Sequence, residues 1–225
     1  MKSKLINFLL HPRNIVLGAL YHMAPYISDE TYLKWVYFFH IGKRLNLKDP
    51  KGFNEKLQWL KLYNRRPEYS QMVDKYGVKE YVAKIIGEEY IIPTLGVWDS
   101  FEEIDFSTLP NKFVLKTTHG GGGGGVVICR NKESFDIAKA RERLNKSMAD
   151  DCFTKTREWP YKNVRHRILA EELLEVRPDG VGDLPDYKWY CFNGEPRYCQ
   201  VIQDRSTNET IDFFDTEWNH QDFEH

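Results

Sequence analysis

Hydrophobic residues in the first part of the chain recur at helical spacing. One helix is predicted to open at Asn54 and to place Leu57 and Leu60 on the same face. A second helix is predicted from about Ser70 to a stop at Gly87. The residues that this second helix is predicted to bury are Met72, Val73, Tyr76, Val82 and Ile85. Together they indicate a largely helical N-terminal lobe.

After residue 90 the pattern changes to short runs of apolar and β-branched residues, which predict strands. The predicted strands lie at residues 113–118, 126–129, 167–174, 187–192 and 197–203, and residues 90–94 form either a short strand or an extended link. The last two flank Asn193-Gly194, a dipeptide that strongly favours a tight β-hairpin turn. One further helix is predicted over residues 134–148, with Phe135, Ala138, Leu144 and Met148 on one face.

Composition narrows the class of protein. The 225 residues are 41% hydrophobic and 29% charged, which is typical of a folded chain with a sizeable core. Lys and Arg number 32 against 33 Asp and Glu, so the formal net charge is -1. That balance lacks the basic field of a nucleic-acid binder, and we expect no nucleic-acid partner.

The cysteines and the start of the chain indicate the cellular compartment of the protein. The four cysteines form no CxxC pair, which favours reduced thiols in a cytoplasmic protein. Two apolar stretches, residues 5–10 and 15–20, are each too short to span a bilayer. We expect this amphipathic start to pack on its own domain. Peripheral contact with the inner face of the membrane is the alternative.

Six consecutive glycines follow His119, between two predicted strands. A flexible linker is one interpretation, and the tip of a hairpin that binds phosphate is the favoured one. Backbone N–H groups of residues without Cβ can converge on an anion, and we assign this role to Gly120, Gly121, Gly122 and Gly123. A Rossmann loop would be followed by a helix and a P-loop would end in Gly-Lys-Ser/Thr, and neither pattern is present.

Charged residues near the glycines add candidates for the site. Lys116 lies on the strand that enters the run, where its ammonium group could reach phosphate oxygens. His119 could supply another donor or could anchor the loop. The acidic residues after the strand at 167–174 could offer a carboxylate and backbone groups to adenine and ribose.

The order of these segments resembles the ATP-grasp superfamily, and in particular its teichuronopeptide-biosynthesis branch. The segments that carry the resemblance are residues 53–61 (FNEKLQWLK), 74–75 (DK), 113–120 (FVLKTTHG), 168–174 (ILAEELL) and 186–196 (DYKWYCFNGEP). The resemblance implies an α+β fold with a helical lobe at residues 1–95, a small subdomain with the glycine flap at 96–170, and a C-terminal β lobe beginning at 171.

The resemblance also implies roles for individual residues. ATP would lie between two lobes under the glycine hairpin, with Lys75 and Lys116 on its phosphates. The segment formed by Glu171, Glu172, Leu173 and Leu174 would contact adenine. Glu175 would lie near the ribose, and Lys188 would point into the cleft as the candidate catalytic residue.

The chemistry implied is an ATP-dependent ligation of a carboxylate to an amine in bacterial surface-polysaccharide biosynthesis, with a glycan or amino acid as substrate. Such chemistry uses Mg²⁺. The sequence ends before the segment in which the resemblance places the magnesium ligands, so we expect a C-terminally truncated member and assign no metal ligand. Its status as an enzyme stays open, and self-association through an uncovered hairpin face is expected. The alternatives are a glycosyltransferase-type polysaccharide enzyme and a catalytically silent nucleotide-binding or scaffold protein.

Overall fold

The computed structural model describes residues 12–120, 124–174, 184–205 and 207–223. The chain divides into two compact units, Met1–Glu172 and Leu173–His225, each of which is described by itself. Within the described ranges, none of the helices has the length and apolarity that a membrane span needs.

The first half of unit one is helical. Its helices are α1 (Pro12–Met23), α2 (Asp29–Ile41), α3 (Phe53–Tyr63), α4 (Pro67–Val73) and α5 (Gly77–Ile86). Helix α2 begins at Ser28, whose hydroxyl accepts a hydrogen bond from the Thr31 N–H, and ends at Gly42 in the left-handed conformation (φ 77°). Its buried residues Tyr32, Leu33 and Tyr37 form a small core with Ala24 and Leu45.

The single helix predicted from Ser70 to Gly87 is two helices, α4 and α5. Asp74 leaves the helical conformation (ψ 113°), and its carboxylate accepts the N–H of Tyr76. This local hydrogen bond replaces helical pairing at the break. The stop at Gly87 is confirmed. The predicted burial is wrong for Tyr76 and Ile85, which are both exposed.

The second half of unit one is a four-stranded antiparallel sheet in the order β1-β4-β2-β3. The strands are β1 (Thr94–Trp98), β2 (Phe113–Thr117), β3 (Val126–Cys129) and β4 (Ile168–Glu172). Of the two alternatives for residues 90–94, the structure has a link, because Glu88–Tyr90 is a 3-10 helix and β1 starts only at Thr94. Strands β2 and β3 form the predicted hairpin around the glycines, with Lys116 opposite Val126.

Helices α6 (Ile137–Met148) and α7 (Cys152–Thr156) lie between β3 and β4 in the chain. Helix α6 begins three residues later than predicted, because the Asp136 carboxylate caps it by accepting the N–H of Lys139. Ala140 and Leu144 are buried against the sheet, whereas Ala138, predicted on that face, is exposed. The core also contains Phe113, Leu115, Ile168 and Ala170 from the strands.

Unit two is a three-stranded antiparallel sheet. Its strands are β5 (Asp186–Phe192), β6 (Glu195–Gln203) and β7 (Thr210–Asp215), in the order β5-β6-β7. The predicted hairpin is confirmed at Asn193 (φ 53°) and Gly194 (φ 85°), whose positive angles match a two-residue hairpin turn. The turn is shorter than expected, since Glu195 already belongs to β6.

Candidate functional site

Two lysines from different elements hold one buried carboxylate in unit one. Glu171 lies on β4 with only 6% of its side chain exposed. Its Oε1 is 2.7 Å from Lys79 Nζ on α5, and its Oε2 forms an ion pair with Lys116 on β2. Lys79 Nζ also donates to the carbonyl of Ile92 at 2.5 Å. A carboxylate placed between two ammonium groups leaves this cluster with one net positive charge, and removal of Glu171 would leave two largely buried ammonium groups without a counter-charge.

Lys75 ties the break between α4 and α5 to the glycine hairpin. Its backbone N–H donates to the Thr118 carbonyl at 3.0 Å. Its Nζ donates to the Thr117 carbonyl at 3.2 Å and to the Gly120 carbonyl. Burial lowers the pKa of Lys75, and the nearby Lys116 ammonium lowers it further. An anion bound between the two ammonium groups would favour the charged form of Lys75.

A second ion pair, between Asp74 and Arg167, lies at the helix break next to Lys75 in the chain. Asp74 Oδ2 is 2.7 Å from an Nη of Arg167, and the Arg167 guanidinium lies 4.7 Å from the centre of the Tyr76 ring. The Arg167 carbonyl accepts the N–H of Thr118 at 2.9 Å. Asp74 and Arg167 therefore connect the helix break to β4 and to the start of the hairpin loop.

His119 anchors the loop to the end of α6. The side chain is buried, and its Nε2 lies 3.0 Å from the Ser147 carbonyl oxygen. Its ring stacks on His166 with centroids 3.4 Å apart, and His166 Nδ1 is 2.9 Å from the Met148 carbonyl. Burial lowers the pKa of His119, and the charge of His166 lowers it further. These contacts are those of a loop anchor, and a contact between His119 and nucleotide stays a prediction.

The base of the glycine hairpin is closed by backbone and hydroxyl contacts. The Thr117 N–H donates to the Gly125 carbonyl at 2.9 Å, and the Thr117 and Ser147 hydroxyls are 2.8 Å apart. A Cβ on Gly125 would collide with both hydroxyls, whereas a Cβ on Gly124 would meet nothing within 4 Å. Gly125 is therefore required by packing. Of the glycines assigned to phosphate, Gly120 lies at the root beside Lys75, and Gly121, Gly122 and Gly123 fall outside the described residues.

The remaining predicted residues are distributed over both units. The Glu172 N–H donates to the Pro93 carbonyl at 3.3 Å, and Leu173 and Leu174 follow the end of β4. Glu175 falls outside the described residues. Lys188, on β5 of unit two, pairs with Asp186 and is exposed. The structure thus brings together Lys75, Lys116 and Glu171 in unit one.

Sequence reasoning missed three members of this cluster, which are Lys79, Asp74 and Arg167. Lys79 lies four residues after Lys75, which is a weak signal on its own. Asp74 was part of the recognised Asp-Lys pair, but its ion pair with Arg167 joins positions 93 residues apart. No local pattern in the sequence marks that contact.

A cleft of about 430 Å³ opens beside the hairpin. Its lining includes the loop residues His119, Gly120, Gly124 and Gly125, together with Lys146, Ser147, Asp150, Cys152, Lys155, Thr156, Glu158 and Tyr161. Burial raises the pKa of Cys152 and of Tyr161, and in both cases Glu158 adds to the rise. The residues that line the cleft include both charge signs, and the cleft adjoins the loop that Lys75 contacts.

The residues present fit nucleotide phosphates better than they fit a metal ion. Ammonium groups at the root of a glycine hairpin are donors that suit phosphate oxygens. For a cation, no group of three or more His, Cys, Asp or Glu side chains that could hold a metal occurs among the described residues. Asp215, the last residue of β7, accepts the N–H groups of Glu217 and Asn219, both at 2.9 Å.

A helical region, an antiparallel sheet with a glycine hairpin, and lysines beneath that hairpin are the features of an ATP-grasp protein. The TupA-like ATPgrasp family matches residues 55–224, well over half of the chain. The chain belongs to this family, which confirms both the predicted superfamily with its teichuronopeptide branch and the α+β ATP-grasp-like fold. Comparison with curated proteins and with solved structures gives no match.

Proposed function

We propose that this protein binds ATP and uses it to join a carboxylate to an amine in bacterial surface-polysaccharide biosynthesis. The observation that carries the proposal is the contact of Lys75 with the root of the glycine hairpin, together with Lys116 on the strand that enters it and Lys79, which shares Glu171 with Lys116. Two of these lysines share the single carboxylate of Glu171, which leaves one net positive charge between them, and the third contacts the hairpin backbone. Membership of an ATP-grasp family supports the assignment of ATP.

In this proposal Lys75 and Lys116 bind the phosphates of ATP, and the backbone of Gly120 to Gly123 covers them. The segment from Glu171 to Leu174 contacts adenine, with Glu175 near the ribose and Lys188 facing the nucleotide. When ATP binds, phosphate oxygens compete with Glu171 for Lys116. Lys79 keeps Glu171 paired during that exchange, so no buried carboxylate is left without a partner.

The reaction proposed has two steps. A carboxylate oxygen of the substrate attacks the γ-phosphorus of ATP, which forms an acylphosphate and releases ADP. An amine then attacks the acyl carbon, which forms the amide, releases phosphate and loses a proton. Mg²⁺, which this family generally uses, would neutralise charge on the phosphates. The described residues include no set of side chains that fits a metal ion.

The cleft beside the hairpin is the proposed site of the second substrate. Its volume falls within the range of small-molecule sites. Lys146 and Lys155 could pair with a carboxylate, and Glu158 could pair with an amine. A protein that acts on the substrates of surface-polysaccharide biosynthesis would work in the cytoplasm, at the inner face of the membrane.

Nucleotide binding is tested by thermal unfolding with and without ATP. ATP at 100 times its dissociation constant should add ~2.7 kcal/mol, or about 5 to 10 °C in Tm. Lys116→Met should abolish most of this shift, because the variant keeps the aliphatic length and loses the ammonium group. Lys84→Met is the matched control, since Lys84 is exposed on α5 and pairs only with Glu80 in the described structure. An equal shift in Lys116→Met and Lys84→Met would contradict the proposed phosphate contact.

Catalysis is tested separately, by the release of ADP with candidate acids and amines in the presence of Mg²⁺. ATP binding without any ADP release, across a panel of sugar acids and amino acids, would favour the catalytically silent alternative over the ligase.

A further inference from the structure

Helix α2 has two apolar faces, and only one of them is buried. Tyr32, Leu33 and Tyr37 face the small helical core. On the other side Trp35, Phe38 and Ile41 are 49%, 41% and 43% exposed. A surface helix ordinarily carries one apolar stripe, with polar residues on the opposite side. The exposed stripe therefore has no role in the core of the described structure.

A groove of about 520 Å³ runs along this stripe. The residues that line it are Thr31, Lys34, Trp35, Phe38, Arg44 and Leu45. The Trp35 ring stacks on Phe39 with centroids 5.9 Å apart, and Phe38 meets Phe39 edge-on at 5.4 Å. Ring contacts of this kind hold large exposed side chains in place, so the stripe is a preformed aromatic surface.

Positive charge accompanies the aromatic stripe. Among the described residues that line the groove, two are cations and none is an acid. Residues 12–48 contain five Lys or Arg against two acids, although the chain as a whole has a net charge of -1. Asp29 pairs with Arg65 and Arg157, and Glu30 pairs with Lys34, so the excess of cations over acids in this segment lies on Arg13, Lys43, Arg44 and Lys48. The field around the groove is therefore positive, while the rest of the chain is acidic.

We propose that this face, formed by Trp35, Phe38, Ile41, Lys34 and Arg44, docks on an anionic membrane surface. Aromatic side chains with exposed apolar area bury themselves at the boundary of headgroups and acyl chains, and Lys and Arg are attracted to anionic lipids. A second copy of the chain fits less well. In a symmetric dimer the cations of one groove would lie against those of the other, and like charges would repel.

The test is co-sedimentation of the whole chain with vesicles. Binding is expected to vesicles of phosphatidylglycerol mixed with phosphatidylcholine, and it should weaken at high salt because the charges are exposed. Vesicles of phosphatidylcholine alone should bind much less. No binding to the anionic vesicles would overturn the proposal.

Substitutions on the exposed face of α2 test whether this face contacts the vesicle. Trp35→Ser with Phe38→Ser should lower binding about tenfold or more, because two large apolar side chains no longer enter the interface. The matched control is Ile85→Ser with Tyr90→Ser, two exposed apolar residues elsewhere in unit one. Lys43→Glu with Arg44→Glu provides a second variant that leaves every apolar contact intact, and it should also lower binding. Unchanged binding in both surface variants would overturn the proposal.

Two further results would assign the face differently and overturn the proposal. One is a dimer that is lost in Trp35→Ser with Phe38→Ser, which would identify a second copy as the occupant. The other is vesicle binding that depends only on residues 1–11. Neither result affects the ligase proposal, because the surface variants should retain the full ATP-dependent rise in Tm.

Discussion

The two faces of the four-stranded sheet of unit one carry different side chains, apolar on one face and charged on the other. One face buries Phe113, Leu115, Ile168 and Ala170 against α6 in a continuous apolar core. The other face carries Lys116 and Glu171, because side chains alternate along a strand. Neighbouring residues of the same strands thus pack in the core on one face and form an ion pair on the other. A rigid core on one side holds the polar groups of the other side at fixed positions, which is the arrangement that binding of an anion requires.

The largest effect is expected on the packed face. Phe113 is fully buried and contacts the ring of Phe135 at 5.3 Å. Phe113→Ala should lower the free energy of unfolding by ~3 to 5 kcal/mol, measured by urea denaturation, because it leaves a cavity. Ile128→Ala, at an exposed position of β3, is the control and should cost less than about 1 kcal/mol. Equal losses in the two variants would contradict the assignment of the core face.

On the charged face, Glu171→Gln should lower the free energy of unfolding by ~2 to 3 kcal/mol. The substitution keeps the shape of the side chain but leaves Lys79 and Lys116 without their shared carboxylate. Glu80→Gln is the matched control, because its ion pair with Lys84 is exposed and contributes little. A loss as small as that of Glu80→Gln would mean that the buried pair does not stabilise the sheet.

The glycine hairpin joins β2 to β3, and two of its glycines form a matched pair for substitution. Gly125→Ala should cost ~1 to 3 kcal/mol, because its Cβ would collide with the hydroxyls of Thr117 and Ser147. Gly124→Ala should be nearly neutral, since the space around it is open. Urea denaturation of both variants checks the difference. A Gly125→Ala protein as stable as Gly124→Ala would show that the loop root is not packed as described.

The smallest effect concerns pH. Burial and His166 hold the pKa of His119 below its ordinary value of 6.5 in the folded protein. Below pH 6.5 the His119 side chain therefore binds a proton more readily in the unfolded chain than in the folded protein. The free energy of unfolding falls as the pH falls toward the folded pKa. His119→Gln should flatten the profile of urea midpoints below about pH 6.5 and leave it unchanged above that pH. Parallel profiles for wild type and His119→Gln would refute this linkage.

Local sequence patterns were sufficient for several elements. Asn193-Gly194 specifies its hairpin because both residues tolerate positive φ, and the strands on either side of the glycines were predicted from their apolar runs. The helix break at Asp74 was missed. The residues around it keep a helical spacing of apolar side chains, and the break depends on hydrogen bonds to Tyr76 and an ion pair with Arg167.

For the candidate site, the sequence by itself determined the family, the glycine hairpin and the two lysines most closely associated with it, because these are coded by short motifs. Only the tertiary structure decided that Lys79 shares Glu171 with Lys116, that His119 stacks on His166, and that one side of α2 is exposed. Each of these features joins residues far apart in the chain or depends on what covers a surface. Such contacts are set by the packing of whole elements, and local periodicity carries no information about them.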